Sequence, residues 1–486
     1  MKKRTLNLLI TLVWTLLSFS GSFSAENTGS NHSEIVSLRA SGSSQDSVVI
    51  SSLQAAEKLA FQANTDIANG RLDIESLQQK RNELSSSLFP QISAKGSATG
   101  SITGPWSMIP PGYFSVFSSL LGSSSAMSSL ASSGKILAVN MNIPYNSDGS
   151  LLATQKLFDP AYLIDLKSAK SSIELSKLDL AKIRESVALQ VASIYYNLLL
   201  SSRQIAFLRK QLASYEELYS VAQVRFQAGV AKKSEPDQIK VDQTNIETEL
   251  ENFEKLYQQQ ISDLQLLIGL PSGKQLTVCD SIGAATEPIS DTGTSDLSSR
   301  PDWLILRKQE DLQDLAIRRQ KAEYLPVLAA KGTISEDFYS LKFDPTSEPW
   351  YNSSAVAITL DFPLFDGFGK RARIAQSRIA LTELQNRRML LETQIGKEIH
   401  DAQNSLIYSI ARLKGQDANH DLAQEVYRET EVEYQGGTAT ISDLLTAENS
   451  LIESQRQYMT ALADKLLAEL SLNKAKGTLL SSLQLE

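Results

Sequence analysis

The chain has 486 residues, 42% of them hydrophobic, a formal net charge of −8 and one cysteine. That length supplies more than one core. The acidic balance excludes a phosphate-binding, nucleic-acid partner, and the lone Cys279 excludes both an intramolecular disulfide and a thiolate metal cluster.

At the N-terminus, Lys2, Lys3 and Arg4 precede an apolar stretch from Leu6 to Phe19, then small residues from Ser22 to Ala25. This is the order of a secretory signal, which assigns residues 1–25 to export; an uncleaved anchor is the other reading. Removing three cations and no anions takes the mature chain from −8 to −11. Residues 26–50, rich in Ser, Asn and Gly, read as a flexible leader. No later apolar run reaches the ~18 residues of a helical span, so a membrane crossing must use strands closed into a barrel.

The remainder divides into two repeats, 51–286 and 287–486. FPQISAKGS from Phe89 matches LPVLAAKGT from Leu325, and AVNMNIP from Ala138 matches AITLDFP from Ala357. LFD occurs at Leu157–Asp159 and again at Leu364–Asp366; FQAG from Phe226 matches YQGG from Tyr434. The offset falls from 236 at Phe89 to 219 at Ala138 and 207 at Leu157. On this alignment the first repeat is longer between Thr99 and Lys135 and again over Tyr145 to Lys156.

Each repeat predicts a short helix ending before Pro90 or Pro326, a strand, a loop, a second strand, and two long helices joined by a turn. Val356, Ile358, Leu360 and Phe362 alternate with Ala357, Thr359 and Asp361, and Val139, Met141 and Ile143 alternate with Asn140 and Asn142. That period of two fits a barrel wall between lipid and water, and equally a half-buried strand of a soluble sandwich. Trp106, Tyr113, Phe114 and Phe117, with Phe338, Tyr339, Trp350 and Tyr351, supply aromatic residues suited to an interfacial girdle or to loop packing. The serine-rich stretch from Ser115 to Gly134 reads as an extracellular loop.

In the long helices, Val187, Val191, Ile194, Leu198, Ile205, Leu208, Leu212, Tyr215, Tyr219, Ala222 and Phe226 step by threes and fours apart from Ser201, as a coiled-coil seam does. The second repeat keeps Ile395, Ile399, Ala402, Leu406, Leu413, Ala423, Tyr427 and Tyr434, interrupted at Gln416 and His420. Neither proline nor glycine stops the helix between Tyr162 and Ala228, a rod of about 100 Å. Leu189, Ala192, Tyr196 and Leu199 add a second stripe, which lets one helix contact two neighbours.

This duplicated arrangement resembles the TolC-like outer-membrane efflux proteins. The carrying residues are Pro90 and Pro326, LFDG at Leu364–Gly367, RPDW at Arg300–Trp303, LIGLP at Leu267–Pro271 and the two aromatic-x-x-Gly turns. The resemblance implies an α+β membrane protein. Three chains, four strands each, would close a 12-stranded transmembrane β-barrel continuous with a long α-helical coiled-coil barrel. It implies a homotrimer in the outer membrane, reaching into the periplasm and embedded in outer-membrane lipid. Its partners would be a periplasmic adaptor and an inner-membrane transporter.

The resemblance also implies a periplasmic gate and adaptor-contacting turns. Gly229, Val230, Gly436 and Gly437 fall at the turns; Tyr434 matches a gate tyrosine, Glu235 falls where its acidic partner belongs, and Asp443 matches an inward carboxylate. Glycine also serves a plain helix reversal, and Asp443 also suits a helix N-terminus. Thr446 and Ala439 depart from the family's acid and arginine, which implies a weaker latch. No phosphate loop, nucleophile elbow or dinucleotide fingerprint is present. His32, His400 and His420 are too scattered to share a metal, so neither catalysis nor a cofactor is expected. The rival reading is a periplasmic coiled-coil adaptor, which would carry one hairpin between β-rich domains rather than two repeated units.

Overall fold

The computed structural model describes residues 47–102, 106–110, 113, 134, 136–140, 143–271, 275–278, 297–342 and 349–483. The signal segment, Cys279, His32, Phe114, Phe117 and nearly all of the Ser115–Gly134 stretch lie outside them.

The chain begins with strand β1 (Ser47–Ile50), followed by helices α1 (Leu53–Ala63) and α2 (Thr65–Ser86). Strands β2 (Gln91–Gly100), β3 (Trp106–Ile109), β4 (Leu137–Asn140) and β5 (Tyr145–Phe158) come next. The first hairpin is α3 (Pro160–Gln227) and α4 (Ser234–Leu267). After β6 (Gln275–Val278), the second unit runs α5 (Pro301–Ala322), β7 (Val327–Ser340), β8 (Tyr351–Asp361), α6 (Gly369–Gln435), α7 (Ile441–Lys476) and the short α8 (Leu479–Ser482). Among the described residues no helix is long and apolar enough to cross a membrane.

Four strands form an antiparallel sheet in the order β2-β5-β7-β8. β5 and β7 pair on both sides; β2 and β8 pair on one side only and are exposed along their whole length. The alternating apolar side chains of β8, Val356, Ile358 and Leu360, point into open space in the single chain.

Here the structure departs from the sequence alignment. The second strand of the first repeat is Tyr145–Phe158, not Ala138 to Pro144, and the stretch read as an insertion is that strand. Leu151 pairs with Ala94 as Ile358 pairs with Ala330, positions matched by the two repeats, so the 207 offset of the LFD triplets carries back through the strand. The match of AVNMNIP to AITLDFP is a likeness of apolar alternation without equivalence. Trp106–Ile109 and Leu137–Asn140 instead form a separate two-stranded hairpin, pairing Trp106 with Asn140. The end of the 26–50 leader also differs: Ser47–Ile50 pairs in parallel with Gln275–Val278, and Ile50 is fully buried.

The LFD triplets have a local explanation. Asp159 accepts a hydrogen bond from the Tyr162 amide at 3.2 Å, with Pro160 in the first helical turn of α3. Asp366 accepts from the Lys370 amide at 2.7 Å at the start of α6. Both aspartates supply a side-chain acceptor to otherwise unsatisfied helix-start amides, where proline is also tolerated.

The four hairpin helices also end alike. In each, the left-handed glycine (Gly229, Gly269, Gly437, Gly477) follows the last turn, and the next amide reaches back five residues. Those amides are Val230 to Arg225, Leu270 to Gln265, Thr438 to Glu433 and Thr478 to Asn473, all at 2.9 or 3.0 Å. This double closure satisfies the last helical carbonyls and needs a positive φ, hence glycine.

The upper glycines also sit in tight joints. A Cβ on Gly269 would lie 2.8 Å from the Ala63 carbonyl oxygen, and one on Gly477 would lie 2.8 Å from Ser299 Oγ. Asn64 caps α2 and donates to the Leu267 carbonyl at 3.2 Å; Arg300, just before α5, donates to the Ala475 carbonyl at 3.1 Å and to Glu398 at 2.9 Å. The same joint is therefore built twice, with unlike residues.

Helix α3 is the spine. Its seam residues Val187, Val191, Leu198, Leu208, Tyr215 and Ala222 are buried against α1, α2 and α4 above, and against α4 and α7 below. Helix α6 buries few residues and exposes Ile379, Met389, Leu390, Ile407, Tyr408 and Val426.

Candidate functional site

At the end of the helices away from the sheet, the two hairpin turns enclose one apolar cluster. Leu208, Tyr215 and Ala222 of α3, Ile239 and Ile246 of α4, Tyr434 of α6 and Leu444 of α7 are buried in it, with Ala439 packed alongside. Seven contacting side chains from four helices fix the positions of both turns relative to each other.

The turn residues Gly229 (φ 77) and Gly437 (φ 80) are left-handed with open space around them, so it is backbone geometry that calls for glycine. Gly436 has φ −73 and caps α6 in a right-handed conformation that any residue can adopt. Val230 is exposed beside Gly229.

Of the three expected gate residues, two act locally within the chain. Glu235 accepts a hydrogen bond from the Lys232 amide at 3.2 Å, at the start of α4. Asp443 and Thr440 form a reciprocal capping box. Asp443 Oδ2 accepts from the Thr440 amide at 3.0 Å and its hydroxyl at 2.7 Å, while the Asp443 amide donates to Thr440 Oγ1 at 3.2 Å. The Thr440 hydroxyl, then its amide, holds the Asp443 carboxyl below the usual carboxylate range. The third residue, Tyr434, has its hydroxyl buried without a hydrogen-bond partner among the described residues. The Glu235–Tyr434 bond implied by the resemblance is thus not made within one chain. Instead the Arg225 guanidinium of α3 lies 5.0 Å above the Tyr434 ring, a cation–π contact that joins the two hairpins.

Thr446 hydrogen-bonds back to the Ser442 carbonyl at 2.7 Å, which is an ordinary way for an exposed helical threonine to satisfy its hydroxyl. His400 pairs with Asn404 at 3.1 Å, and His420 stacks on Tyr458 with ring centroids 5.9 Å apart. No group of acidic, His or Cys side chains among the described residues could hold a metal.

Sequence reasoning passed over a group just above the turns. Glu448 of α7 is 1% exposed, and neither carboxyl oxygen makes a well-formed hydrogen bond, although the Tyr215 hydroxyl of α3 lies close enough to act on it. The signal was available: Ile441, Leu444, Glu448 and Leu451 step by threes and fours, so an acid occupies a seam position.

A family profile described as "Outer membrane efflux protein" matches residues 119–270 and 295–478. Among curated relatives, the outer membrane protein TolC of Vibrio cholerae is 22% identical over 338 residues, covering 67% of this chain and 75% of that one. The alkaline protease secretion protein AprF of Pseudomonas aeruginosa is 22% identical over 348 residues, covering 69% and 70%. Among solved structures, the Campylobacter jejuni CmeC outer membrane channel superposes with a TM-score of 0.68 at 15% identity, over 88% of this chain and 86% of that one. The open state of the Neisseria gonorrhoeae MtrE outer membrane channel gives 0.65 at 16% identity, over 88% and 89%. Both share the duplicated strand-and-hairpin fold described above.

Proposed function

We propose, for a chain that belongs to the outer membrane efflux protein family and is an outer-membrane exit duct, that it works as a homotrimer latched at its helical end. One observation carries the self-association: the chain is a strip open along both sides, and the family resemblance sets the number of copies at three. β2 and β8 each leave a ladder of backbone groups unpaired, and no such edge survives in lipid. On the same flanks, α4 exposes Val241 and Leu266 and α6 exposes Ile407 and Tyr408. Joining β8 of one copy to β2 of the next removes both edges, and three copies give twelve strands around one lumen.

The helices then continue the lumen through the periplasm to the two turns. Gly229, Val230, Gly436 and Gly437 form the surface met by a periplasmic adaptor, which couples the duct to an inner-membrane transporter. Tyr434 and Arg225 hold the hairpins of one copy together. Glu235, half-buried at the start of α4 and bonded to the Lys232 amide through one oxygen, turns its second oxygen to a neighbouring copy, and Asp443 forms a three-fold carboxylate ring that favours cations at the mouth. We read the chain as a duct with no catalytic step of its own. Since AprF is by its name a secretion protein, polypeptide cargo is one class such a duct serves.

Fractionation tests the first part. Mature chain from outer membranes should run as a heat-modifiable trimer, and a soluble periplasmic monomer would sink the duct. Single-channel recording with Asp443→Ala tests the ring, and an unchanged cation preference would remove Asp443 from the mouth. Co-purification of the native trimer with an adaptor and a transporter tests the partners.

A further inference from the structure

The apolar cluster above the turns contains one component that does not belong in an apolar cluster. Glu448 lies two helical turns into α7, about 10 Å from its start. It is fully enclosed, and both carboxyl oxygens and the Tyr215 hydroxyl of α3 are buried without a well-formed hydrogen bond. The groups that act on it come from each helix packed around it. Tyr215 reaches it from α3, Asp242 from α4, and Glu431 and Tyr427 from α6. None of these groups is a cation, so an ionised Glu448 would face two other acids with no counter-charge. An unpaired buried carboxylate is expensive, and a neutral carboxyl is the form such a site accepts.

We propose that Glu448 is a protonation-controlled latch between the two hairpins: as a neutral acid it lets α7 seat against α3 and α4, and as a carboxylate it pushes the hairpins apart and loosens the turns. Burial, then the charges of Asp242 and Glu431, raise its pKa to about 8, with the Tyr215 hydroxyl opposing. Burial also raises Asp242, and burial followed by the Glu448 charge raises Tyr215 and Tyr427. The sign follows: the packed state holds a proton that the opened state gives up, so the packed state weakens as pH rises towards about 8. Location turns this into a device. Glu448 bridges the first hairpin and the second, and the turns Ala228–Lys233 and Gly436–Thr440 are the nearest elements that can move without disturbing the sheet.

That loosening opens the duct rests on the reading of the turns as its closed end, so two readouts are needed. The first is hydrogen exchange of peptides spanning both turns. It uses the mature trimer in lipid at about pH 6.5 and about pH 9.5, with intrinsic rates corrected, and the second is single-channel conductance of the same samples. Wild type should lose about thirtyfold in turn protection between the two pH values, because linkage accumulates at a factor of ten per pH unit over the roughly 1.5 units from pH 6.5 to the pKa of about 8. Glu448→Gln should hold the low-pH protection throughout. Asp242→Asn and Glu431→Gln should keep the transition but move its midpoint down, an effect a merely structural role would not produce. Equal pH dependence in wild type and Glu448→Gln, or midpoints unmoved by both neighbours, would overturn the latch. Protection that changes as expected while conductance does not would uphold the latch and place the closed end elsewhere.

Discussion

Gly269 and Gly229 share a left-handed backbone but differ in surroundings, which makes alanine at each a matched pair. Gly269 has φ 67 and Gly229 has φ 77. A Cβ at Gly229 would meet nothing within 4 Å, whereas at Gly269 it would lie 2.8 Å from both Cβ and the carbonyl oxygen of Ala63. The left-handed conformation costs an alanine about 1–2 kcal/mol at either site. At Gly269 the joint between the end of α4 and the end of α1 must also open, an overpacking cost of about 1–3 kcal/mol. Gly229→Ala should therefore lower stability by about 1–2 kcal/mol per chain and Gly269→Ala by about 2–5 kcal/mol. Thermal unfolding of both variants in one detergent, followed by helical circular dichroism, measures the difference. Equal destabilisation would refute the argument that the upper joint is close-packed and the lower turn open. The same outcome at Gly477, whose Cβ would meet Ser299 Oγ at 2.8 Å, extends the test to the second repeat.

Arg300, 5% exposed and bonded to Glu398 and the Ala475 carbonyl, should cost about 2–3 kcal/mol when changed to alanine; a chemical-denaturation midpoint left unmoved would contradict that joint. Tyr434→Phe removes a hydroxyl that is buried without a partner, so thermal stability should hold or rise slightly. A clear loss would mean that the hydroxyl is bonded across a trimer interface. Glu57 of α1 is buried without partners, and burial lifts its pKa to about 8. The folded chain keeps that proton while the unfolded chain releases it, so stability should fall with rising pH from the ordinary carboxylate range to about 8. Glu57→Gln should flatten that decline in melting curves taken across the interval, and an unchanged slope would assign it to other groups.

The family and its architecture were legible in the chain itself because the duplicated signals have local causes. LFD recurs because an aspartate supplies an acceptor to a first-turn amide of α3 and of α6, and the glycines recur because each hairpin helix ends at a left-handed residue. The period of the α3 seam is visible because burial on one face selects apolar residues every three or four positions. What stayed hidden was whatever depends on contacts distant in sequence. Strand register was misread at Ala138 because alternation says which residues could pair, never with whom; β5 is identified by lying between β2 and β7. Tyr434 was matched to Glu235, yet in space Arg225 meets its ring. Glu448 stands at a seam position in the sequence, but the seam does not say which helices enclose it. Only the convergence of α3, α4, α6 and α7 removes its water, and that loss of solvation makes it different from the acids on the open helix faces.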